Sequence, residues 1–288
     1  MFALSRSSTP VPSASENLAV DLRDGDAVRA AVRRTHPEVI FHLGALSSVG
    51  RSWDEPARTI NENAATAVNV LEAVRLEARD ARVVWISSCE VYGPPRSLPV
   101  AEAAPMAPAS PYAVSKASAE MLAAVYAESF GLDLVRARPF SHSGPGQRPI
   151  FLLSSLARQV AEGLAAGVPE VRVVTGNPDT RRDFTDVRDT VRAYRLLASS
   201  EVEGAFNVSS GRSVSCAEQV QALAELVAPI VVEREVDPAR VRAHEVMDLR
   251  GDHTLLTAAT GWEPRIPLRQ TLSDTVSWWE RELARGAG

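Results

Sequence analysis

Tyr112 and Lys116 stand four residues apart in the stretch Ser110-Pro111-Tyr112-Ala113-Val114-Ser115-Lys116-Ala117-Ser118-Ala119-Glu120. The Ser-Pro entry and the alanine-rich continuation predict a helix that begins here. On a helix the two side chains share a face, one turn apart. A phenol ionises at about 10 in water, and an ammonium group one turn away favours the phenolate and lowers that value. Such a pair is an acid/base for a carbonyl or an alcohol. Lys116 is also the only lysine among 31 lysines and arginines, so an ammonium is kept where a guanidinium would not serve. Upstream, residues 83–88 (Val-Val-Trp-Ile-Ser-Ser) read as a buried parallel strand ending in hydroxyls. In open α/β sheets the chemistry sits beyond such carboxyl ends.

The rest of the chain must position these groups. Strands are predicted over 1–6, 17–22, 39–45, 83–88, 132–138, 171–174 and 205–208. Helices are predicted over 24–35, 60–79, from 110 onward, 151–163 and 268–283, the last burying Trp278 or Trp279. This alternation predicts an α/β fold with a doubly wound parallel sheet. A net charge of −5 offers no basic field for nucleic acid. Two cysteines, Cys89 and Cys216, are too few for a disulfide framework and fit a reducing cytoplasm. Neither a leader peptide nor an apolar run long enough to cross a bilayer is read, and no cluster has metal-ligand spacing.

Ser88, Tyr112 and Lys116, with Val91-Tyr92-Gly93 between them, resemble the Ser-Tyr-Lys triad of the extended short-chain dehydrogenase/reductases that act on nucleotide sugars. The resemblance implies a Rossmann domain over residues 1–140 and a smaller sugar-nucleotide-binding domain over 141–288, with some segments returning to the Rossmann sheet. A dinucleotide-binding sheet opens with a strand, a glycine-rich turn and a helix, whose amides hold the pyrophosphate. No such turn occurs in this sequence, and Met1 falls where the family's second strand begins. The fold is therefore expected to lack its first β-α unit. A misassigned start is the favoured explanation, with a partial gene or a lost cofactor site as the alternatives.

Other positions extend the resemblance. Arg6, at a strand end, would face the 2′-phosphate of NADP, although a solvated arginine is the competing reading. Asp21 and Leu22 are similar to an adenine-contacting pair, and Leu43-Gly44-Ala45 to the segment packing beside the nicotinamide ribose. Tyr112, Lys116, Pro139 and His142 complete the expected cofactor contacts. Ser47 would meet the sugar, and Glu90 is placed as the base of an elimination. Cys89 reads as a small buried residue. Residues 138–147 (Arg-Pro-Phe-Ser-His-Ser-Gly-Pro-Gly-Gln) are similar to a stretch of GDP-6-deoxy-4-keto-D-mannose reductases, with Ser141 where the family has an asparagine contacting substrate. Arg182, in Arg-Asp-Phe-Thr-Asp-Val, would grip the nucleotide diphosphate, with a surface ion pair as the competing reading. Arg242 and Glu245 would supply a second diphosphate arginine and a nucleoside contact.

The implied activity is NADP(H)-dependent reduction of the 4-keto group of a GDP-linked 6-deoxy sugar, with NAD as the alternative cofactor and no metal. A 4,6-dehydratase or 4-epimerase using Glu90, or a non-catalytic sugar-nucleotide-binding partner, are the other readings. The helix over 60–79, with Asn63 and Asn69, implies a homodimer through a four-helix bundle shared with the Tyr112 helix; from pattern alone its apolar face is equally plain core.

Overall fold

The computed structural model describes residues 1–6, 11, 13–241 and 245–286. The chain divides into two compact units, one formed by residues 1–93, 103–138 and 194–206, the other by 94–102, 139–193 and 207–288.

In the first unit β1 (Phe2–Ser5) and β2 (Glu16–Ala19) pair in parallel as a two-stranded sheet. Helix α1 (Gly25–Thr35) follows, with the Asp24 carboxylate accepting from the Ala27 amide at 3.0 Å. That cap takes up one of the free amides of the first turn. Next come β3 (Val39–His42), a short helix α2 (Val49–Asp54) and the long α3 (Pro56–Glu77). Helix α3 starts four residues before its predicted start because Pro56 sits at its first position, where a missing N–H costs nothing. Strand β4 (Arg82–Ile86) is buried along its whole length, flanked in parallel by β3 and by β5 (Leu134–Pro139). Between β4 and β5 runs α4 (Pro111–Phe130), capped by the Ser110 hydroxyl on the Ala113 amide and closed by Gly131 in the left-handed region.

Valines 28, 32, 70, 74 and 83, with Leu71 and Ala123, form one core where α1, α3 and α4 cover the sheet. Leu71 is fully buried there. Leu71→Ala is expected to cost about 2–5 kcal/mol through lost transfer energy and the cavity left behind, read as a lowered denaturant midpoint. A cost under ~1 kcal/mol would place Leu71 outside the structural core.

The second unit is built from β6 (Ser141–Ser143), α5 (Leu152–Ala166), β7 (Glu170–Thr175) and β8 (Arg181–Asp186). Helix α6 (Val187–Ala198) and β9 (Gly204–Val208) run back through the first unit. Then follow β10 (Ser213–Ser215), α7 (Cys216–Leu226), β11 (Val231–Val236), β12 (Asp248–Leu249), α8 (Thr254–Thr260) and α9 (Leu268–Gly286). Strand β8 pairs with β10, β12 and β6, while β7 pairs with β11. The second core packs α5, β7, α7 and α9 around Leu156, Val160, Val173, Leu223 and Leu272. The α9 tryptophans are half-buried rather than enclosed; Trp279 donates to the Ser154 hydroxyl at 3.1 Å.

The α/β class and the parallel pairing match the sequence reading. The first unit's strands nevertheless fall into two pieces among the described residues: β1 with β2, and a sheet in the order β3-β4-β5-β9. Strand β3 is an edge of the second piece, and its Val39 and Phe41 are each 40% exposed. A parallel strand with apolar residues on both faces is normally covered, and here that edge leaves apolar side chains exposed. Among the described residues no helix is long and apolar enough to cross a membrane, and no group of His, Cys, Asp or Glu could hold a metal ion.

Candidate active site

Strand β4 ends at Ile86, and Ser87 and Ser88 leave it in extended conformation before a 3-10 turn over Cys89–Tyr92. Gly93 closes that turn at φ 60°, where a Cβ would run into the Ala107 carbonyl, so only glycine fits. The Ser88 hydroxyl accepts from the Glu90 amide at 3.2 Å, which leaves its own proton for the phenol of Tyr112, to which it is hydrogen-bonded. Tyr112 and Lys116 are both buried on the inner face of α4. The Lys116 ammonium donates to the Ile86 carbonyl. Strand end, turn and helix thus bring Ser88, Tyr112, Lys116 and Glu90 to one place.

The electrostatics correct one expectation. Burial pushes the Tyr112 phenol above its ordinary value; the Ser88 hydrogen bond pulls it down, and charge at Glu90 and Cys89 pushes it further up. Desolvation disfavours the phenolate more than its neighbours favour it. Burial thus outweighs the pull toward the phenolate expected of a neighbouring ammonium. Tyr112 is therefore a protonated acid across the neutral range. Burial also lowers Lys116 itself, to about 8, against an upward pull from Glu120. His42 of β3, stacked on Trp85 with ring centroids 4.3 Å apart, is lowered to about 3 by burial and then by the charge of Lys116, so it stays neutral.

The ends of β1 and β3 border a cleft of about 240 Å³. Arg6, Asp21, Leu22, Gly44 and Ala45 line it, together with Glu62 from α3. Arg6 is more than half exposed, its nearest carboxylate Glu62 lying at 3.9 Å, so its guanidinium can take an anion. Asp21 is engaged by Arg23, whose guanidinium and amide donate to it and hold its carboxyl down at about 2. Gly44 lets the Leu22 side chain close over the backbone; a Cβ there would stand 2.5 Å from Leu22 Cδ1. Leu43 and Ser47 lie on the same connection but are exposed and outside the cleft lining.

In the second unit β6 pairs in parallel with β8, setting Ser141 opposite Phe184 and His142 opposite Thr185. The His142 ring is held by the Phe140 carbonyl at 3.1 Å, and burial lowers its pKa, so it is neutral with Nδ1–H donating. Gln147 donates to the His142 carbonyl at 2.9 Å and accepts from Ser143 at 2.6 Å, which ties the 138–147 stretch into one loop. Pro139 ends β5. Arg182 lies on β8 with one nitrogen on the carbonyls of Arg181 and Val246, at 2.8 and 2.7 Å. Glu245 is half-buried, and Arg242 lies outside the described residues.

Behind the triad, sequence reasoning named Asn63 and Asn69 without their partners and missed the pairing of Glu120 with Arg138. Asn63 of α3 bonds both backbone groups of Leu46 and donates to Ser115 at 2.8 Å, so it clamps the β3–α2 connection to α4. Asn69 donates to the Leu22 carbonyl at 2.9 Å. Glu120 and Arg138 form a buried ion pair beyond Lys116. A polar residue on the inner face of an otherwise apolar helix was the available signal.

Parallel α/β units with a serine, tyrosine and lysine at a strand end define an extended short-chain dehydrogenase/reductase of the nucleotide-sugar type. The chain belongs to the GDP-mannose 4,6 dehydratase family, whose model matches residues 6–275. It is 37% identical to the GDP-6-deoxy-D-mannose reductase of Pseudomonas aeruginosa over 86% of this chain and 82% of that protein. Among solved structures it is similar to RMD from Pseudomonas aeruginosa complexed with NADPH, with a TM-score of 0.85 and 34% identity over 95% of this chain and 89% of that one. It is also similar to Thermus thermophilus UDP-glucose 4-epimerase in complex with NAD, with a TM-score of 0.86 and 29% identity over 100% and 91% of the two chains.

Proposed function

We propose that this chain reduces the 4-keto group of GDP-4-keto-6-deoxy-D-mannose to give GDP-D-rhamnose. The observation that carries the reading is the protonated, buried Tyr112 held by Ser88, since reduction of a ketone needs a proton donor at the forming alkoxide. The 37% identity to a protein named for this chemistry supports the substrate class. NADPH, when bound, supplies the hydride that goes to C4. Ser88 donates a hydrogen bond to the ketone oxygen, and Tyr112 delivers the proton. Lys116 places a positive charge beside the developing alkoxide and would hold the nicotinamide ribose. Arg6, Asp21, Leu22, Leu43, Gly44 and Ala45 would hold the cofactor, with Pro139 and His142 beside the nicotinamide. Ser47, Ser141, Arg182, Arg242 and Glu245 would hold the sugar nucleotide. The assay is loss of NADPH absorbance on adding the 4-keto sugar nucleotide. Turnover that stops without NADPH supports the reading, and none with NADPH present would end it.

Glu90 favours a second reading. It stands two residues beyond Ser88, and its charge reaches the Tyr112 phenol. A 4,6-dehydratase using it as base would convert GDP-mannose without consuming added NADPH, and Glu90→Gln would abolish that turnover.

We also assign a homodimer in the cytoplasm. Val114, Met121 and Val125 of α4 are 41%, 62% and 52% exposed, and Val68 and Leu76 of α3 are exposed as well. Apolar side chains repeating at helical spacing fit a four-helix bundle between two copies. Two buried cysteines, Cys89 and Cys216, are too few for a disulfide framework and fit a reducing compartment. Val125→Glu is expected to convert the dimer to monomer in light scattering; a wild-type chain already monomeric at high concentration would refute the interface.

A further inference from the structure

Glu120 follows Lys116 by one helical turn and is completely buried in a helix whose inner face is otherwise alanine, serine and the Tyr112/Lys116 pair. An isolated buried carboxylate is costly, and this one is fully engaged. Arg138 of β5 donates to Oε1 from Nε at 2.9 Å and from Nη2 at 2.7 Å, and the Ser87 hydroxyl donates to Oε2. Arg138 in turn donates to the Tyr92 hydroxyl at 2.8 Å and lies over its ring, 5.0 Å from the centroid. The network therefore joins the catalytic helix, the ends of β4 and β5, and the 3-10 turn that follows Ser88. A buried ion pair is weak evidence of a stability role, because apolar residues of similar volume often serve as well. Its sign and place say more: a negative charge lies behind the one ammonium the site requires.

We propose that Glu120, oriented by Arg138, is a positioning residue that sets a negative charge one helical turn behind Lys116 and keeps it in its ammonium form. Its catalytic meaning rests on the reductase reading, but its effect on Lys116 does not. The charged and titratable groups around Lys116 are Tyr112 and Glu120 on its own helix, His42 from β3, and Arg138 from β5 behind Glu120. His42 is neutral, and Tyr112 is protonated, so the charge that acts on Lys116 is that of Glu120. Burial alone would drive the lysine to its neutral form within the working pH range, and Glu120 opposes that.

The single lysine makes this directly measurable. Full-length protein grown with 13Cε-labelled lysine gives one signal, whose pH titration reports Lys116 without reference to any reaction. The wild-type midpoint is expected near 8. Glu120→Gln should lower it by roughly one pH unit or more. A loosened fold would move the midpoint the other way, toward the free-lysine value of about 10.4. A midpoint equal to wild type, or moved toward free lysine, would overturn the proposal. If the single variant fails to fold, the charge-balanced Glu120→Gln/Arg138→Gln chain carries the test. Loss of the nearer charge should lower its midpoint below wild type, and an unchanged midpoint there overturns the proposal equally. With the 4-keto substrate, the high-pH fall of kcat/KM should move with the NMR midpoint. Shifted midpoints in a chain without reductase activity would keep the positioning role and remove only the reaction assigned to it.

Discussion

Tyr112→Phe is expected to reduce kcat by roughly 10²–10⁴-fold, the contribution of a positioned proton donor. The phenylalanine keeps the ring in its buried slot on α4 and removes only the hydroxyl that meets Ser88. The fold should survive, because the loss is one hydrogen bond, worth about 0.5–1.5 kcal/mol net. Substrate KM should change little, since the missing interaction strengthens only as the alkoxide forms. A variant with near-normal turnover would show that another group supplies the proton. Because burial holds the phenol protonated, the wild-type rate should not fall at neutral pH through Tyr112 itself.

Lys116→Met is expected to lower kcat/KM by roughly 10²–10³-fold, the usual loss for one preorganised electrostatic contact. Methionine fills the same slot with nothing to place beside the alkoxide. The sign of the pH dependence follows from the cation being the active form: wild-type activity should be constant below pH 8 and fall as pH rises through about 8. In Lys116→Met that fall should vanish, leaving a low, flat rate. A variant retaining the same descending limb would assign it to some other group. Lys116→Arg should not rescue, because a guanidinium is broader than the closed slot that ends on the Ile86 carbonyl.

The fold class was legible because it rests on local pattern: continuous apolar runs such as Val83-Val84-Trp85-Ile86 alternating with helices. The four-residue spacing of Tyr112 and Lys116 was legible for the same reason, since one helix sets it. What the lysine does to the tyrosine was not. The sequence places an ammonium near a phenol, but the phenol's desolvation depends on helix, strand and turn closing together, and that burial dominates. The Glu120–Arg138–Tyr92 network was equally hidden, because its members come from three elements separated by up to 46 residues. Asn63 and Asn69 were visible as a pattern, yet their partners Leu46, Ser115 and Leu22 appear only once α3 lies against them. The short helix α2 was missed because its six residues carry too little periodicity to register.

The most direct test of the central claim follows the hydride. The chain is incubated with GDP-4-keto-6-deoxy-D-mannose and NADPH deuterated at both C4 positions of the nicotinamide, and the sugar is examined by NMR. Reduction as proposed predicts GDP-D-rhamnose carrying one deuterium at C4 of the sugar for each NADPH oxidised. Unreacted 4-keto sugar with intact NADPH, or a product without deuterium at C4, would contradict it.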